Sequence, residues 1–291
     1  MAAGRHLSFQ QVIFDCDSTL TTVEGIDELA RLKGQTETIA DLTSQAMDGK
    51  IPLEQVYAKR LELLQPTRAE LVRVGRIYRR TLVPHAEEVI SALQLAGVDV
   101  FIVSGGLKAA VLDLAASLKV PADHVHAVAV EMDQLQGEWW DYLRHQYGNP
   151  DERYLDFAPT PLAESSGKLD VVQAIAGKKR TMMIGDGSTD LVTQKAVRLF
   201  VGFGGVERRQ AVVDGAEVFL EGPGFEAVLP LALSTRAAEK IKRTSYRKVY
   251  QLGCQAIRNG TVLFREEVYR ERVLLAHKDN DQNGNLLTEL V

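Results

Sequence analysis

The sequence predicts an α/β protein: a parallel sheet, a block of helices inserted after its first strand, and a helical extension at the C-terminus. Three observations predict it. Short apolar runs recur and each stops at a polar loop: Val12 to Phe14 at Asp15, Val98 to Val103 at Ser104, Met182 to Gly185 at Asp186. Segments with apolar residues at helical spacing separate these runs, and strand–helix alternation of this kind implies a parallel sheet covered on both faces. The composition is that of a folded chain, with 45% hydrophobic and 25% charged residues over 291 positions, enough for one large or two modest domains.

Taken in order, Val12 to Phe14 reads as a buried strand. From Thr22 to Pro84 the pattern turns helical, with Ile26, Leu29, Ala30, Leu32, Ile39, Leu42 and Ala46, then Val56, Leu61 and Leu64. Ala86 to Ala96 is a helix that ends at Gly97, a C-cap glycine. Val98 to Val103 is the next strand, a helix runs to Leu118, and a strand covers Val125 to Val130. Residues 131–163, with Trp139, Trp140, Tyr142, Tyr147 and Tyr154 among Gly, Asn and Pro, read as a bent hairpin or long loop at the edge of the site. Regular alternation then resumes: helix Lys168 to Ala176, strand Met182 to Gly185, helix Leu191 to Ala196, strand Arg198 to Val201, helix Glu207 to Val213, strand Val218 to Leu220. Ligands of such a sheet bind at the carboxyl ends of its strands.

Several classes fall away. A formal net charge of −5 argues against nucleic-acid binding by bulk electrostatics. The apolar runs are too short to span a bilayer, and Met1 to Gln11 lacks a hydrophobic signal core. Two cysteines, Cys16 and Cys254, give no disulfide framework, and a cytoplasmic protein is expected.

Four stretches carry chemistry. Asp15-Cys16-Asp17-Ser18-Thr19 follows the first strand. Two aspartates two apart on an extended loop can share one Mg²⁺ and face one substrate; one carboxylate can attack phosphorus and a second carboxyl can protonate a leaving alcohol and later activate water. Ser104-Gly105-Gly106 ends another strand, and a hydroxyl beside glycine-exposed N–H groups can hold a phosphate oxygen. Lys168 opens a helix, where a cation can neutralise charge building on a phosphoryl group. Gly185-Asp186-Gly187-Ser188-Thr189-Asp190 follows a further strand, and Asp186 suits Mg²⁺ as an oxygen ligand. Each stretch alone also reads as a polar turn, a tight strand-to-helix turn, a solvated lysine or a glycine turn. Their joint occurrence in this order is what points to an enzyme.

These stretches, FDCDST, VSGG, the lone Lys168 and GDGSTD, resemble the four motifs of the haloacid dehalogenase superfamily. Within it, IFDCDSTLTTVEGIDELA, SQAMDGKIPLEQVYAKRLELLQP and FVGFGGVERRQAVVDGAEVFL look like the phosphoserine phosphatase family, over roughly residues 10–230. The resemblance implies a Rossmann-like core of residues 1–21 and 85–233, a helical cap over 22–84, and an extension, 234–291, with no counterpart in the family core. It implies Mg²⁺-dependent hydrolysis of a small phosphomonoester, first of all O-phosphoserine, through an aspartyl-phosphate, with Asp15 as nucleophile and Asp17 as general acid and base. Mg²⁺ would be held by Asp15, the Asp17 backbone carbonyl and Asp186, and phosphate by Ser104, Gly105 and Lys168, with Thr189 beside the substrate. Glu24 would meet the substrate ammonium and Arg60 its carboxylate, while Met47 belongs to the cap that closes over the site. Leu53 stands where the family commonly has a phenylalanine lining the cap, and the segment 131–161 is longer than the family pattern.

Other readings use the same residues. One is a phosphatase or phosphotransferase acting on another small phosphorylated metabolite; another is a non-catalytic phospho-switch. A dehalogenase has no use for an acid at Asp17, and Asp17 with the large inserted block favours turnover over a switch.

The expected partner is therefore a small molecule, with no nucleic acid and no membrane. In the tail, Ala237, Ile241, Val249, Leu252 and Ala256 make one apolar face, and Glu266 to His277 reads as a second helix. Those faces are expected to be buried on the core or on a second copy of the chain; Arg236, Lys240, Lys242, Arg243, Arg247, Lys248 and Arg258 offer the alternative of a basic surface for an anionic partner. Asp279 to Gly284 resembles half of a calcium-binding loop, but Leu290 stands where a bidentate Glu is needed, so the segment reads as a polar tail.

Overall fold

The computed structural model describes residues 8–47, 53–133, 135, 152–157, 160–164 and 167–277. After strand β1 (Gln11–Phe14) come helices α1 (Gly25–Leu32), α2 (Thr36–Met47), α3 (Leu53–Leu64) and α4 (Arg68–Arg80), then α5 (Ala86–Leu95), β2 (Asp99–Leu107) and α6 (Lys108–Ser117). Next are β3 (Val125–Val128), β4 (Val130–Asp133), β5 (Arg153–Phe157), α7 (Gly167–Ala176), β6 (Thr181–Gly185), α8 (Ser188–Leu191), β7 (Leu199–Phe203), α9 (Gln210–Gly215) and β8 (Val218–Leu220). The chain continues through α10 (Val228–Ala232), α11 (Thr235–Ile241), α12 (Arg247–Arg258), β9 (Val262–Phe264) and α13 (Glu267–Ala276).

Seven strands form one sheet in the order β3-β2-β1-β6-β7-β8-β9. All pairings are parallel except that of β9, which runs antiparallel on β8. Successive residues of a strand face opposite sides, and the apolar core divides accordingly. Val12, Phe14, Met182 and Ile184 belong to a large cluster that takes in α5 and α12; Ile13, Val103, Met183, Phe200 and Phe219 belong to a smaller one under α7 and α9. β1 and β6 are buried along their whole length, which is why they read as unbroken apolar runs.

The inserted helices lean on the core, α1 against β2 and α4 against α6. α4 starts with a capping box, in which Thr67 Oγ1 accepts from Glu70 N and Glu70 Oε2 accepts from Thr67 N. Just before it, the chain is stitched to β5: Tyr154 N donates to Pro66 O (2.9 Å), Arg68 N donates to Glu152 O (3.0 Å), and the Arg68 side chain pairs with the buried Glu152 carboxylate.

Four expectations change. Ser104-Gly105-Gly106 is not a turn after the strand but part of β2, which stays paired with β3 through a register shift between Val103 and Leu107. Val125 to Val130 is two strands, because β4 leaves the main sheet to pair antiparallel with β5. The hairpin reading of 131–163 thus holds for those two strands, while Trp139, Trp140, Tyr142 and Tyr147 lie outside the described residues. Leu191 to Ala196 is the end of α8 followed by a 3₁₀ turn over Val192–Lys195. The tail is not only helical, since β9 gives the sheet its last strand. The calcium-loop resemblance at 279–284 lies outside the described residues. No helix among the described residues is long and apolar enough to cross a membrane.

Candidate active site

The carboxyl ends of β1, β2 and β6, neighbours at the centre of the sheet, bring the sequence-predicted residues to one cavity of about 590 Å³, a size suited to a small molecule. Asp15, Asp17, Glu24, Arg60, Gly105, Lys168, Asp186 and Thr189 all line it. Ser104 does not reach its wall: it is fully buried, and its Oγ accepts from Gly106 N at 2.9 Å. Met47 ends α2, with its side chain outside the described residues.

Asp15 leaves β1 with its N–H donating to Ile184 O of β6, so the nucleophile candidate is fixed by sheet pairing. Lys168, one residue into α7, donates from Nζ to Asp15 Oδ1 (2.7 Å) and to Asp190 Oδ1 (2.6 Å). Burial works against the charge of this lysine, but the two carboxylates outweigh it and hold its pKa above the ordinary value. Asp190 also accepts from Gly187 N (3.0 Å), so it is occupied in holding Lys168 and the turn. Thr19 Oγ1 donates to Asp186 Oδ1 at 2.8 Å and lies 3.4 Å from Asp15 Oδ2.

Asp17 is in a different state. Its Oδ1 accepts from Tyr78 Oη (2.5 Å) and from Gly25 N (2.9 Å). Burial, with the charges of Asp15 and Glu24, raises its pKa from 3.8 to about 7, against the downward pull of those two hydrogen bonds. Gly106 allows this approach, because a Cβ there would come within 2.7 Å of Asp17 Oδ2 and 3.1 Å of Ser104 Oγ. Glu24 caps the start of α1 without a side-chain bond to it; its carboxylate accepts from Ser18 Oγ and faces Arg209 at 3.7 Å. Burial and the charge of Asp27 raise the Glu24 pKa, and Arg209 opposes them.

Asp15, Asp186 and Asp190 bring carboxylate oxygens within 4.8 Å of one another, a group able to hold a metal ion. Asp186 Oδ2 is buried, and the Arg209 guanidinium lies against it. Hard oxygen donors of this kind suit Mg²⁺.

Sequence reasoning missed Thr19, Tyr57, Tyr78, Asp190 and Arg209. Asp190 and Thr19 sat inside motifs already picked out and Arg209 inside the FVGFGGVERRQ stretch, so each had a signal; Tyr78 had none, being brought to Asp17 from 61 residues away.

The chain matches the family described as haloacid dehalogenase-like hydrolase over residues 9–197. It is 35% identical over 216 residues to the phosphoserine phosphatases of Bos taurus and Homo sapiens, alignments that cover 73% of this chain and 89% of each relative. A solved structure described as a phospho-aspartyl intermediate analogue of phosphoserine phosphatase superposes with a TM-score of 0.61 at 26% identity, covering 78% of this chain and 100% of that one.

Proposed function

We propose that this chain, which belongs to the haloacid dehalogenase-like hydrolases and within them to the phosphoserine phosphatase family, is a phosphoric monoester hydrolase that cleaves O-phosphoserine to serine and phosphate. One observation carries the reading: two aspartates on one loop sit in different environments. Asp15 is ion-paired with buried Lys168, whereas Asp17 bonds to Tyr78 and burial pushes its carboxyl up to about 7. Environments that separate two carboxyls in this way assign a nucleophile and an acid.

In this reading Asp15 attacks phosphorus in line while Asp17 gives its proton to the departing serine oxygen; Asp17 then takes a proton from the water that hydrolyses the aspartyl-phosphate. Lys168 and the Gly105 backbone hold the phosphoryl oxygens, Ser104 sits behind the wall and accepts from Gly106 N, and Thr189 lies beside them. Glu24 and Arg60, which both line the cavity, suit the ammonium and carboxylate of a zwitterion, and Arg209 is a second cation on its wall. Mg²⁺ held by Asp15, Asp186 and the Asp17 carbonyl would supply positive charge against the phosphoryl group; Asp190 is left out because Lys168 and Gly187 engage it.

We read residues 1–21 and 85–233 as the catalytic core and 22–84 as a cap over it. Residues 234–291 are an extension whose described part packs on the core. Self-association would use the α13 face that carries exposed Val268 and Leu275. Free, buried thiols at Cys16 and Cys254 fit a reducing cytoplasm.

The test is a panel of phosphorylated metabolites assayed with Mg²⁺. O-phosphoserine should give the highest kcat/KM, and Asp15→Asn should abolish turnover of every substrate. Faster hydrolysis of another metabolite would move the assignment to a related phosphatase, and near-normal activity of Asp15→Asn would sink the mechanism.

A further inference from the structure

Tyr57 projects from α3 and lines the cavity together with Val56 and Arg60 of the same helix. Among the described residues it is the one partly buried side chain packed against both apolar clusters: the large one, which contains α3 and α4, and the smaller one on the other side of the sheet, which contains Leu162. Leu162 lines the same cavity from the core side. The ring therefore spans from the inserted helices to the core, close enough to Asp17 and Arg60 for their charges to act on its phenol. Asp17 is the acid assigned to the departing ester oxygen and Arg60 the cation assigned to the substrate carboxylate, so the ring stands beside the organic part of the ester.

We propose that Tyr57 is a specificity-determining residue, its ring forming the wall that confines the organic group of the substrate and restricts turnover to compact phosphomonoesters. The inference rests on the hydrolase reading above. Burial and the neighbouring Asp17 charge raise the phenol pKa, against Arg60, so the group at this wall is neutral and adds no charge of its own to the pocket. Shape, not ionisation, is then what Tyr57 contributes.

The experiment measures kcat/KM for p-nitrophenyl phosphate, a bulky ester, and for ethanolamine phosphate and O-phosphoserine, both compact, in wild type, Tyr57→Phe and Tyr57→Ala. The bulky-to-compact ratio should rise about tenfold in Tyr57→Ala, the scale at which apolar pocket volume discriminates. It should stay within about twofold in Tyr57→Phe, which keeps the ring. Should Tyr57→Ala fail to fold, Tyr57→Leu carries the same test, with an expected rise of about threefold. Equal loss on all three substrates, or an unmoved ratio, would overturn the proposal. Wild-type enzyme that hydrolyses ethanolamine phosphate but ignores O-phosphoserine would defeat the substrate reading alone, because the ratio against ethanolamine phosphate still reports on Tyr57.

Discussion

Tyr78 Oη, on the last of the four inserted helices, donates a 2.5 Å hydrogen bond to Asp17 Oδ1 on the loop after β1. The bond ties the inserted helices to the acid of the proposed reaction. It also lowers the Asp17 pKa, because a donor to a carboxylate favours the charged form. Tyr78→Phe should therefore raise that pKa further. The alkaline limb of the kcat profile for O-phosphoserine should move to higher pH in the variant, with some loss of melting temperature from the buried hydrogen bond removed, although the ring still fills its fully buried place. A limb that does not move would mean that Tyr78 has no hold on the proton.

The raised pKa of Asp17 also makes a statement about stability. The folded protein keeps the proton up to about pH 7, whereas the unfolded chain releases it near the ordinary 3.8. Between those values the folded state binds more protons, so stability falls as pH rises through that window. With chelator present, wild type should lose melting temperature between pH 4.5 and pH 7.5 relative to Asp17→Asn, which cannot titrate. Parallel curves for the two proteins would contradict it.

How far the sequence discloses this site depends on how local each feature is. Asp15, Asp17, Lys168 and Asp186 sit at strand ends or a helix start, and a strand that is buried along its length announces where it stops. Tyr78 and Tyr57 carry no such mark: each lies in an amphipathic helix where an aromatic reads as core, and only the docking of that helix on the sheet reveals the cavity. Leu53, whose side chain lies outside the described residues, drew attention in the sequence, yet the aromatic that lines the pocket is Tyr57, one helical turn further along α3. β9 was invisible for another reason. Three residues are too few to show a period of two, and what makes them a strand is the exposed edge of β8.

The stitch between β5 and the start of α4 is expected to fix the cap to the core. Arg68 pairs with Glu152, whose side chain is 8% exposed against 39% for the arginine. Removing Arg68 strands the more buried partner, so Arg68→Ala should cost about 1–3 kcal/mol, at the lower end because the arginine is part-exposed. Adding Glu152→Gln should recover part of that loss, since the stranded charge is gone. Denaturant melts of the two single variants and the double variant check this; additive losses would mean the pair is not coupled.

The extension after Leu233 should matter to the fold and not to the chemistry. α12 buries Val249, Tyr250, Cys254 and Ile257 in the large cluster, and β9 covers the β8 edge. Gly253 lets α12 come this close: a Cβ there would lie 2.0 Å from Glu226 O in the loop before α10. These contacts sit on the chain's own core, so the apolar tail face is buried within one molecule. Truncation after Leu233 should then bare the β8 edge and the α10 surface, lowering the melting temperature and promoting aggregation. Gly253→Ala offers the gentler version, because it forces α12 outward without removing anything, and it should lower the melting temperature while leaving the KM for O-phosphoserine unchanged, none of the cavity-lining residues belonging to α12. A truncated protein that melts with the full chain and stays monodisperse would overturn this. It would recast the extension as a docking segment for a partner.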